Sequence, residues 1–528
     1  MVRVVVNMRR SAAALLALAA LAAGWAAASE GHVQARRPGV SRAGEAAAGR
    51  RAPFASGLPH GRAGGHSGRP NIVFVLTDDL SMDLLRFMPQ VQALQARGMN
   101  FANYFVSDSL CCPSRSSIFT GNFPHDTGVF TNTGVDGGIG AFFAHGNEHH
   151  TFNLALAQAG YRTAMMGKYL NGYMEGPARS PVPSTYVPPG WSEWDVAGWG
   201  YPEYNYELNQ NGSLHHYGHR PQDYLTSVLA RRGISFINRS ARSGQPFFLE
   251  LATFAPHSPY TPPPGEVKTF PGLRAPRPPS FDVLPTGAPS WLADHPPLRP
   301  GQLRRIDSAF RRRVQAVQGV DAMLGKLEAA LAAHGLTDNT YVVFSSDNGL
   351  HTGEYRLMPG KLTAFDTDIR VPLVIAGPRI PADATTAAMA ENVDLAKTFS
   401  AIGGTSLPSD GHSLVDLLHG AQPADWRNAV LIEHHGSAPT TANPDAQTRL
   451  SGNPPSYSAI RTPRYLYVEY DNGEREFYDL QNDPDELHNL AAGLDPQRLA
   501  QLHEQLADLR DCHTGPACWG AGHVASGG

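Results

Sequence analysis

The chain has 528 residues, of which 42% are hydrophobic, and a formal net charge of −4. This length exceeds what a single small core needs and favours a large α/β domain with a smaller companion. The basic residues form no block, so composition argues against a nucleic-acid partner or an anionic membrane surface. A strongly anionic substrate would have to be met by arginines and lysines gathered in a cleft.

The N-terminal segment has the pattern of an export signal. Three arginines among the first ten residues precede an Ala/Leu run at 11–23 and three consecutive alanines at 26–28. This pattern predicts a signal peptide over 1–28 and a secreted product with no membrane attachment after cleavage. A retained signal anchor is the alternative, which the short apolar run disfavours. Residues 29–69 are rich in Ala, Gly, Arg and Pro and predict a disordered linker.

Two apolar runs, at 71–76 and 341–344, predict buried strands of a parallel sheet. Acidic and amide side chains follow each run, at the strand end where open α/β sheets place ligands. If the strands are neighbours, four side chains converge: Asp78, Asp79, Asp347 and Asn348. All of them offer oxygen ligands, which suits Ca²⁺, with Mg²⁺ as the alternative ion. Taken alone, the first aspartate pair is also typical of a helix N-cap and its first turn.

The segment Cys111-Cys112-Pro113-Ser114-Arg115 predicts a nucleophile at the start of a helix. Pro113 suits the first helical turn, which places Cys111 just ahead of an N-terminus whose free N–H groups attract anions. Arg115 adds a permanent charge with a fork geometry suited to a sulfuryl or phosphoryl group. A turn that contains two buried thiols is the alternative.

This segment resembles the C-x-P-S-R signature of the sulfatase family, within the alkaline-phosphatase-like superfamily. The resemblance implies that a formylglycine-generating enzyme oxidises Cys111 to formylglycine, whose hydrated aldehyde is the nucleophile. It also implies that the two acidic pairs bind a divalent cation, usually calcium, together with residue 111. Cys112 would then be a neighbour without a redox role.

Three further site residues follow from the resemblance. Lys168 follows a predicted strand at 161–166, and Lys361 follows the second acidic pair; both match sulfate-binding lysines. His257 lies in a PH-x-P segment after a predicted strand at 246–254, where it would protonate the leaving alcohol or hold a sulfate oxygen.

One position departs from the arylsulfatase pattern. Leu170 stands where many arylsulfatases have a histidine, so the acceptor of the proton released with sulfate is left open. The segments GKYLN and SLCCPSRSSIFTG instead resemble N-acetylglucosamine-6-sulfatases and heparan-6-O-endosulfatases. His125, His351 and Glu354 are further candidates for contact with the site or the substrate.

The remaining segments complete the predicted architecture. Residues 177–224 show no clear periodicity and predict loops at the active-site rim, where aromatic side chains are candidates for stacking on a sugar. Those candidates are Trp191, Trp194, Trp199, Tyr204 and Tyr206. A long amphipathic helix is predicted at 302–334. The C-terminal part predicts strands at 429–433, 456–460, 465–470 and 476–480, a helix from 483 and an amphipathic helix at 497–509. Cys512 and Cys518 predict a disulfide; metal binding together with His513 is the alternative, which the incomplete ligand set disfavours.

The expected fold is therefore α/β: a large, mostly parallel sheet flanked by helices, alkaline-phosphatase-like by the resemblance, with a small C-terminal antiparallel sheet and helix. The expected domains are a catalytic domain at 70–424, a C-terminal subdomain at 425–510 and a tail at 511–528. The resemblance implies a sulfuric ester hydrolase that acts on a sulfated carbohydrate. The alternatives are a phosphonate or phosphate monoester hydrolase of the same superfamily and a non-catalytic binder of sulfated glycans.

Overall fold

The computed structural model describes residues 68–436 and 447–524. The predicted signal peptide and residues 29–67 of the predicted linker lie outside these ranges. Ten strands form the large sheet: β1 (Asn71–Thr77), β2 (Met99–Phe105), β3 (Arg162–Lys168), β4 (Glu193–Ala197), β5 (Tyr206–Gln210), β6 (Ser213–Tyr217), β7 (Phe247–Ala252), β8 (Thr340–Ser346), β9 (Leu373–Ala376) and β10 (Ala384–Glu391).

The strand order is β10-β2-β9-β8-β1-β7-β3-β4-β5-β6. The central strand β1 pairs in parallel with β7 and β8, and β3 pairs in parallel with β7 and β4. Strand β9 runs antiparallel to both neighbours, and β5 and β6 form an antiparallel edge. The sheet is thus mostly parallel, as predicted, and its central strands end at one common edge.

The helices cover both faces of this sheet, lie in the connections or belong to the C-terminal part of the chain: α1 (Pro89–Ala96), α2 (Cys111–Thr120), α3 (Pro124–Thr127), α4 (Gly138–Ala144), α5 (Phe152–Gln158), α6 (Leu225–Ser243), α7 (Ser290–Ala293), α8 (Pro300–Ala333), α9 (Asp366–Ile369), α10 (Asp394–Ile402), α11 (Val415–Leu418), α12 (Pro496–Arg510) and α13 (Gly515–Ala521). Alternate residues of β1 point to opposite faces. Val73 and Val75 share a core with α6 and α8, whereas Phe74 packs with α5 and α10.

A second, antiparallel sheet contains β11 (Val430–His434), β12 (Tyr457–Arg461), β13 (Tyr465–Tyr470) and β14 (Arg475–Asp479). Helix α12 packs its buried leucines, Leu502 and Leu506, on one face of this sheet. Cys512 and Cys518 are bonded as a disulfide after that helix. Val430 and Ile432 point the other way, into the core that contains Phe74.

Two expectations are wrong. Residues 177–224 are not only loops, because they contain β4, β5 and β6; β4 is wholly buried and most of β6 is exposed, so neither shows the alternation that predicts a strand. The helix expected from Asp483 is absent, because the Asp483 carboxylate accepts hydrogen bonds from the backbone N–H groups of Leu487 and His488 in a loop. Among the described helices, none has the length and apolarity that crossing a membrane requires.

Candidate active site

The carboxyl ends of β1 and β8 bring the two predicted acidic pairs together. Thr77 pairs with Ser346 in the last position of the two strands, so Asp78 and Asp347 come next at the same level. The backbone N–H of Asp79 donates to Asp347 Oδ1 at 3.2 Å. One possible ligand atom from each of Asp78, Asp79, Cys111 and Asp347 lies within 4.8 Å of the others, and all four residues are buried.

Cys111 is the first residue of α2 rather than the residue ahead of it. Leu110 has extended backbone and takes the cap position, and Pro113 occupies the first turn without leaving a buried N–H unpaired. The Cys111 thiol donates to Asp78 Oδ1 at 3.2 Å, and Lys361 Nζ donates to the same sulfur at 2.9 Å. The positive end of α2 and one lysine therefore both face this sulfur.

The second cysteine has different surroundings. The Cys112 side chain belongs to the hydrophobic core, and its backbone N–H donates to Asn132 Oδ1 at 2.9 Å. Burial raises the pKa of the Cys112 thiol to about 12. This thiol therefore stays protonated at neutral pH and is a poor nucleophile.

Three cations lie against the three carboxylates. Lys168 Nζ donates to Asp78 Oδ2 at 2.7 Å, and Lys361 Nζ donates to Asp79 Oδ1 at 2.7 Å. Arg115 Nε donates to Asp347 Oδ2 at 2.8 Å. The second Arg115 bond runs from Nη1 to the carbonyl of Lys168 at 2.9 Å, so the guanidinium links β3 to the end of β8.

The carboxyl groups of Asp78 and Asp347 differ in acidity. Burial would raise the pKa of Asp78, but the neighbouring cations, Lys168 foremost, hold it below its usual range. Burial together with the negative charge of Asp78 raises the pKa of Asp347 to about 6. The site thus holds one firmly ionised carboxylate beside a more basic one.

His257 and Asn348 both lie beside the Asp79 carboxylate. His257 Nδ1 is 2.7 Å from the carbonyl of Ser258, so Nδ1 carries a proton, and Nε2 is 3.5 Å from Asp79 Oδ2. The Tyr201 ring lies 4.6 Å from the His257 ring and 5.0 Å from Lys168 Nζ. Asn348 Nδ2 donates to Asp79 Oδ1 at 2.7 Å.

Several secondary candidates lie elsewhere. Trp194 and Tyr206 are buried, so sugar contact is wrong for both, whereas Trp199 is 44% exposed and its ring lies 5.1 Å from Tyr201. His351 is buried, with Nδ1 3.0 Å from the Asp368 carboxylate. The remaining candidates are partly buried or held by other groups: Trp191, Tyr204, Glu354 and His125.

Arg313 was missed. It lies on α8, is fully buried, and its Nη2 donates to the backbone carbonyl of Asp79 at 2.5 Å. A signal existed in the sequence, because Arg313 directly precedes Val314 inside the apolar stripe of α8. A lone cation on that stripe indicates a buried partner.

The fold and this site define an alkaline-phosphatase-like hydrolase. The profile of the Sulfatase family matches residues 70–405, and that of "N-sulphoglucosamine sulphohydrolase, C-terminal" matches residues 353–512. The human N-acetylglucosamine-6-sulfatase is 35% identical over 480 residues, which cover 85% of this chain and 86% of the relative. The Drosophila melanogaster extracellular sulfatase SULF-1 homolog is 35% identical over 384 residues, which cover 70% of this chain and 34% of the relative. The chain belongs to the sulfatase family and is a sulfuric ester hydrolase.

Solved structures share the fold at lower identity. A protein in complex with its substrate D-glucosamine-2-N,6-O-disulfate has a TM-score of 0.68 at 23% identity, covering 84% of this chain and 97% of that one. A phosphonate monoester hydrolase of Agrobacterium radiobacter has a TM-score of 0.63 at 22% identity, and the match covers 84% of this chain and 95% of that one. The alkaline-phosphatase-like fold predicted from the sequence is confirmed.

Proposed function

We propose that this sulfatase removes sulfate from a 6-O-sulfated N-acetylglucosamine unit of a glycan, with formylglycine at position 111 as the nucleophile. The observation that carries this proposal is the convergence of Cys111, at the start of α2, with three buried carboxylates within 4.8 Å and two lysines on those carboxylates. Two named relatives, the N-acetylglucosamine-6-sulfatase and the extracellular sulfatase, support the choice of substrate.

The donor set fits a calcium ion. Asp78, Asp79 and Asp347 supply carboxylate oxygens, and Asn348 Oδ1 is buried with no hydrogen-bond partner among the described residues. An orphaned buried oxygen beside three carboxylates is what a hard cation would satisfy, and Ca²⁺ suits this set better than zinc. The ion would supply positive charge that polarises the sulfate ester. Mg²⁺ is the alternative, which a substitution experiment distinguishes.

The formylglycine would supply a geminal diol, one hydroxyl of which attacks sulfur while the other later expels sulfate as the aldehyde reforms. Around it, this chain's own residues have separate tasks. Arg115 fixes Asp347 through Nε, and its buried Nη2 has no hydrogen-bond partner among the described residues, which leaves it available to a sulfate oxygen. Lys168 and Lys361 neutralise the other sulfate oxygens.

Proton transfer requires a base and an acid. His257 donates Nδ1–H to the carbonyl of Ser258, so a proton on Nε2 is directed to the site and can pass to the leaving sugar oxygen. We assign to Asp347 the uptake of the proton that the attacking hydroxyl loses; Leu170 offers no base for the later step that releases sulfate. Asn171 donates to the hydroxyl of Tyr201 at 3.3 Å, so it orients a group that packs on His257.

We also propose a maturation route. Cys111 is 0% exposed in the folded chain, so a formylglycine-generating enzyme must reach the signature before folding. The signal at 1–28 and the Cys512–Cys518 disulfide favour passage through an oxidising compartment and secretion. The boundaries 70–424, 425–510 and 511–528 remain our proposal for the domains.

The test combines peptide mass spectrometry with kinetics on the chain from its native secreting host. We expect an aldehyde at residue 111 and release of sulfate from 6-O-sulfated N-acetylglucosamine, both lost in Cys111→Ala. Cys112→Ala is the matched control and should keep the aldehyde and the activity. An unmodified thiol in an active preparation, or turnover of phosphonate monoesters without turnover of sulfate esters, would overturn the proposal.

A further inference from the structure

A second group of metal-ligating side chains lies outside the active site, between α3 and the C-terminal tail. His125 and Asp126 belong to α3, and His513 directly follows Cys512 of the disulfide. Their side chains are 12%, 20% and 64% exposed, and one possible ligand atom from each lies within 4.8 Å of the others. The two chain segments are 387 positions apart, so only the fold brings these groups together.

The distances suit a small tetrahedral ion. Ligands at about 2.1 Å from zinc lie about 3.4 Å from one another. His513 Nδ1 is 2.5 Å from Asp126 Oδ1, and His125 Nε2 is 3.9 Å from Asp126 Oδ2. These separations lie on either side of the required value, and one possible ligand atom of each residue lies within 4.8 Å of the others, so side-chain rotations would bring three ligands to one ion.

A supporting carboxylate already orients the first histidine. Glu433 Oε2 accepts a hydrogen bond from His125 Nδ1 at 2.8 Å, which turns Nε2 toward the carbonyl of Cys512, with Asp126 Oδ2 3.9 Å away. Metal-bound histidines in proteins generally donate their other ring N–H to a carboxylate in this way. His125 Nε2 donates to the carbonyl oxygen of Cys512 at 2.8 Å, so zinc binding would displace the proton on Nε2 and replace this hydrogen bond.

We propose that His125, Asp126 and His513 form a zinc site that fastens the tail to α3. Two imidazoles and one carboxylate suit zinc and disfavour calcium, which takes six to eight oxygens. The alternative arrangement is two histidine–carboxylate pairs without a metal. This inference is independent of the proposed function, because no residue of the group belongs to the active site.

The test measures zinc stoichiometry on the mature chain, stripped of metals and then saturated with Ca²⁺ so that the active site is occupied. We expect wild type to bind one more zinc equivalent than His513→Ala and than Asp126→Asn. His503→Ala is the matched control, since His503 is 62% exposed and lies 2.9 Å from Glu469, and it should bind as wild type does. Glu433→Gln should weaken zinc binding by about 10- to 100-fold.

Zinc-edge X-ray absorption should show two imidazole ligands in wild type. Sulfate release should be equal in wild type and His513→Ala, which separates this test from that of the proposed function. Equal zinc stoichiometry in wild type and His513→Ala, or no zinc uptake by either, would show that the group holds no metal. The group would then consist of two histidine–carboxylate pairs, His125 with Glu433 and His513 with Asp126.

Discussion

Arg115 uses two guanidinium nitrogens on different partners, Asp347 Oδ2 and the carbonyl of Lys168. Lysine carries the charge but cannot make both bonds in these directions, so Arg115→Lys should lower kcat by about 10²- to 10³-fold. Initial rates on a sulfate ester measure this loss. Arg370→Lys is the control, because Arg370 donates to the carbonyl of Ala102 away from the site and should keep its activity. Activity of Arg115→Lys within threefold of wild type would contradict the assigned role.

Trp199 is the exposed member of a row of rings that continues through Tyr201 to His257. If it stacks on the substrate's sugar, Trp199→Ala should raise KM for a sulfated glycan by about fivefold, because such contacts contribute about 1 kcal/mol. Turnover of a small aryl sulfate should not change. Phe143→Ala removes another partly exposed ring, at 38%, and should leave both substrates unaffected. An equal loss on both substrates would indicate a structural role for Trp199.

At this scale the sequence predicted which residues converge, because each lies directly after a strand or at a helix start whose position is visible in the pattern. Asp78, Asp347 and Cys111 are of this kind. Whether an aromatic side chain is exposed to solvent could not be predicted in the same way. Trp194 and Trp199 have similar sequence surroundings, but only the sheet that β4 joins determines that one is buried and the other exposed.

At the scale of elements, Gly167, the residue before Lys168, pairs with Ala252 where β3 meets β7. Its φ is +104°, and an added Cβ would lie 1.9 Å from the carbonyl oxygen of Ala252. Gly167→Ala should therefore lower the free energy of unfolding by about 3 kcal/mol or more, through backbone strain and overpacking. Urea unfolding measures this change. Gly520→Ala in α13 meets nothing within 4 Å and should be neutral or stabilising; equal stability of both variants would exclude a tight β3–β7 contact.

The small sheet contains a buried acid. Glu476 accepts hydrogen bonds from the hydroxyls of Tyr470 and Tyr478, each at 2.5 Å, and burial raises its pKa to about 7. Because the folded state holds this proton more tightly than the unfolded state, the carboxyl's contribution to stability is complete below pH ~4.5 and is lost as the pH rises through about 7.

Glu476→Gln should remove this contribution and flatten the stability profile over that range by up to about 1.4 kcal/mol per pH unit. Urea titrations at four pH values between 4.5 and 7 measure the slope. Glu504→Gln, at an exposed position of α12, should keep the wild-type slope. A Glu476→Gln slope equal to that of wild type would show that Glu476 does not titrate between these limits.

The predictability of elements followed their hydrophobic pattern. Strands β1, β7 and β8 are continuous apolar runs, and β11 to β14 have clear strand patterns in a segment without helices between them, so both groups were predicted. Strands β2 and β10 were not, because partly exposed residues interrupt them. Their strand conformation depends on pairing with each other, which is tertiary information.

At the scale of the whole molecule, the two sheets share one core. Val430 and Ile432 of the small sheet belong to the same buried cluster as Phe74 and Phe248 of the large sheet. Across the same boundary, Arg461 pairs with both oxygens of Asp366, at 2.7 and 2.9 Å. The edge of the large sheet that carries the active site is therefore supported by packing with both sheets. A change at the metal site should then affect unfolding of the chain as a unit.

The metal-site carboxylates join the ends of β1 and β8, so the cation should stabilise the whole fold. Calcium at about 100 times its dissociation constant should raise the free energy of unfolding by about 2.7 kcal/mol, and chelation should lower Tm and abolish sulfate release together. Calorimetry in the His513→Ala background, which excludes the proposed tail site, measures this effect, with Mg²⁺ as the competing ion. Asp79→Ala should not respond to calcium, since it lacks one carboxylate of the cluster. An unchanged Tm of the His513→Ala chain on addition of either ion would mean that Asp78, Asp79, Cys111 and Asp347 hold no cation, because a ligand that binds only the folded state must stabilise it.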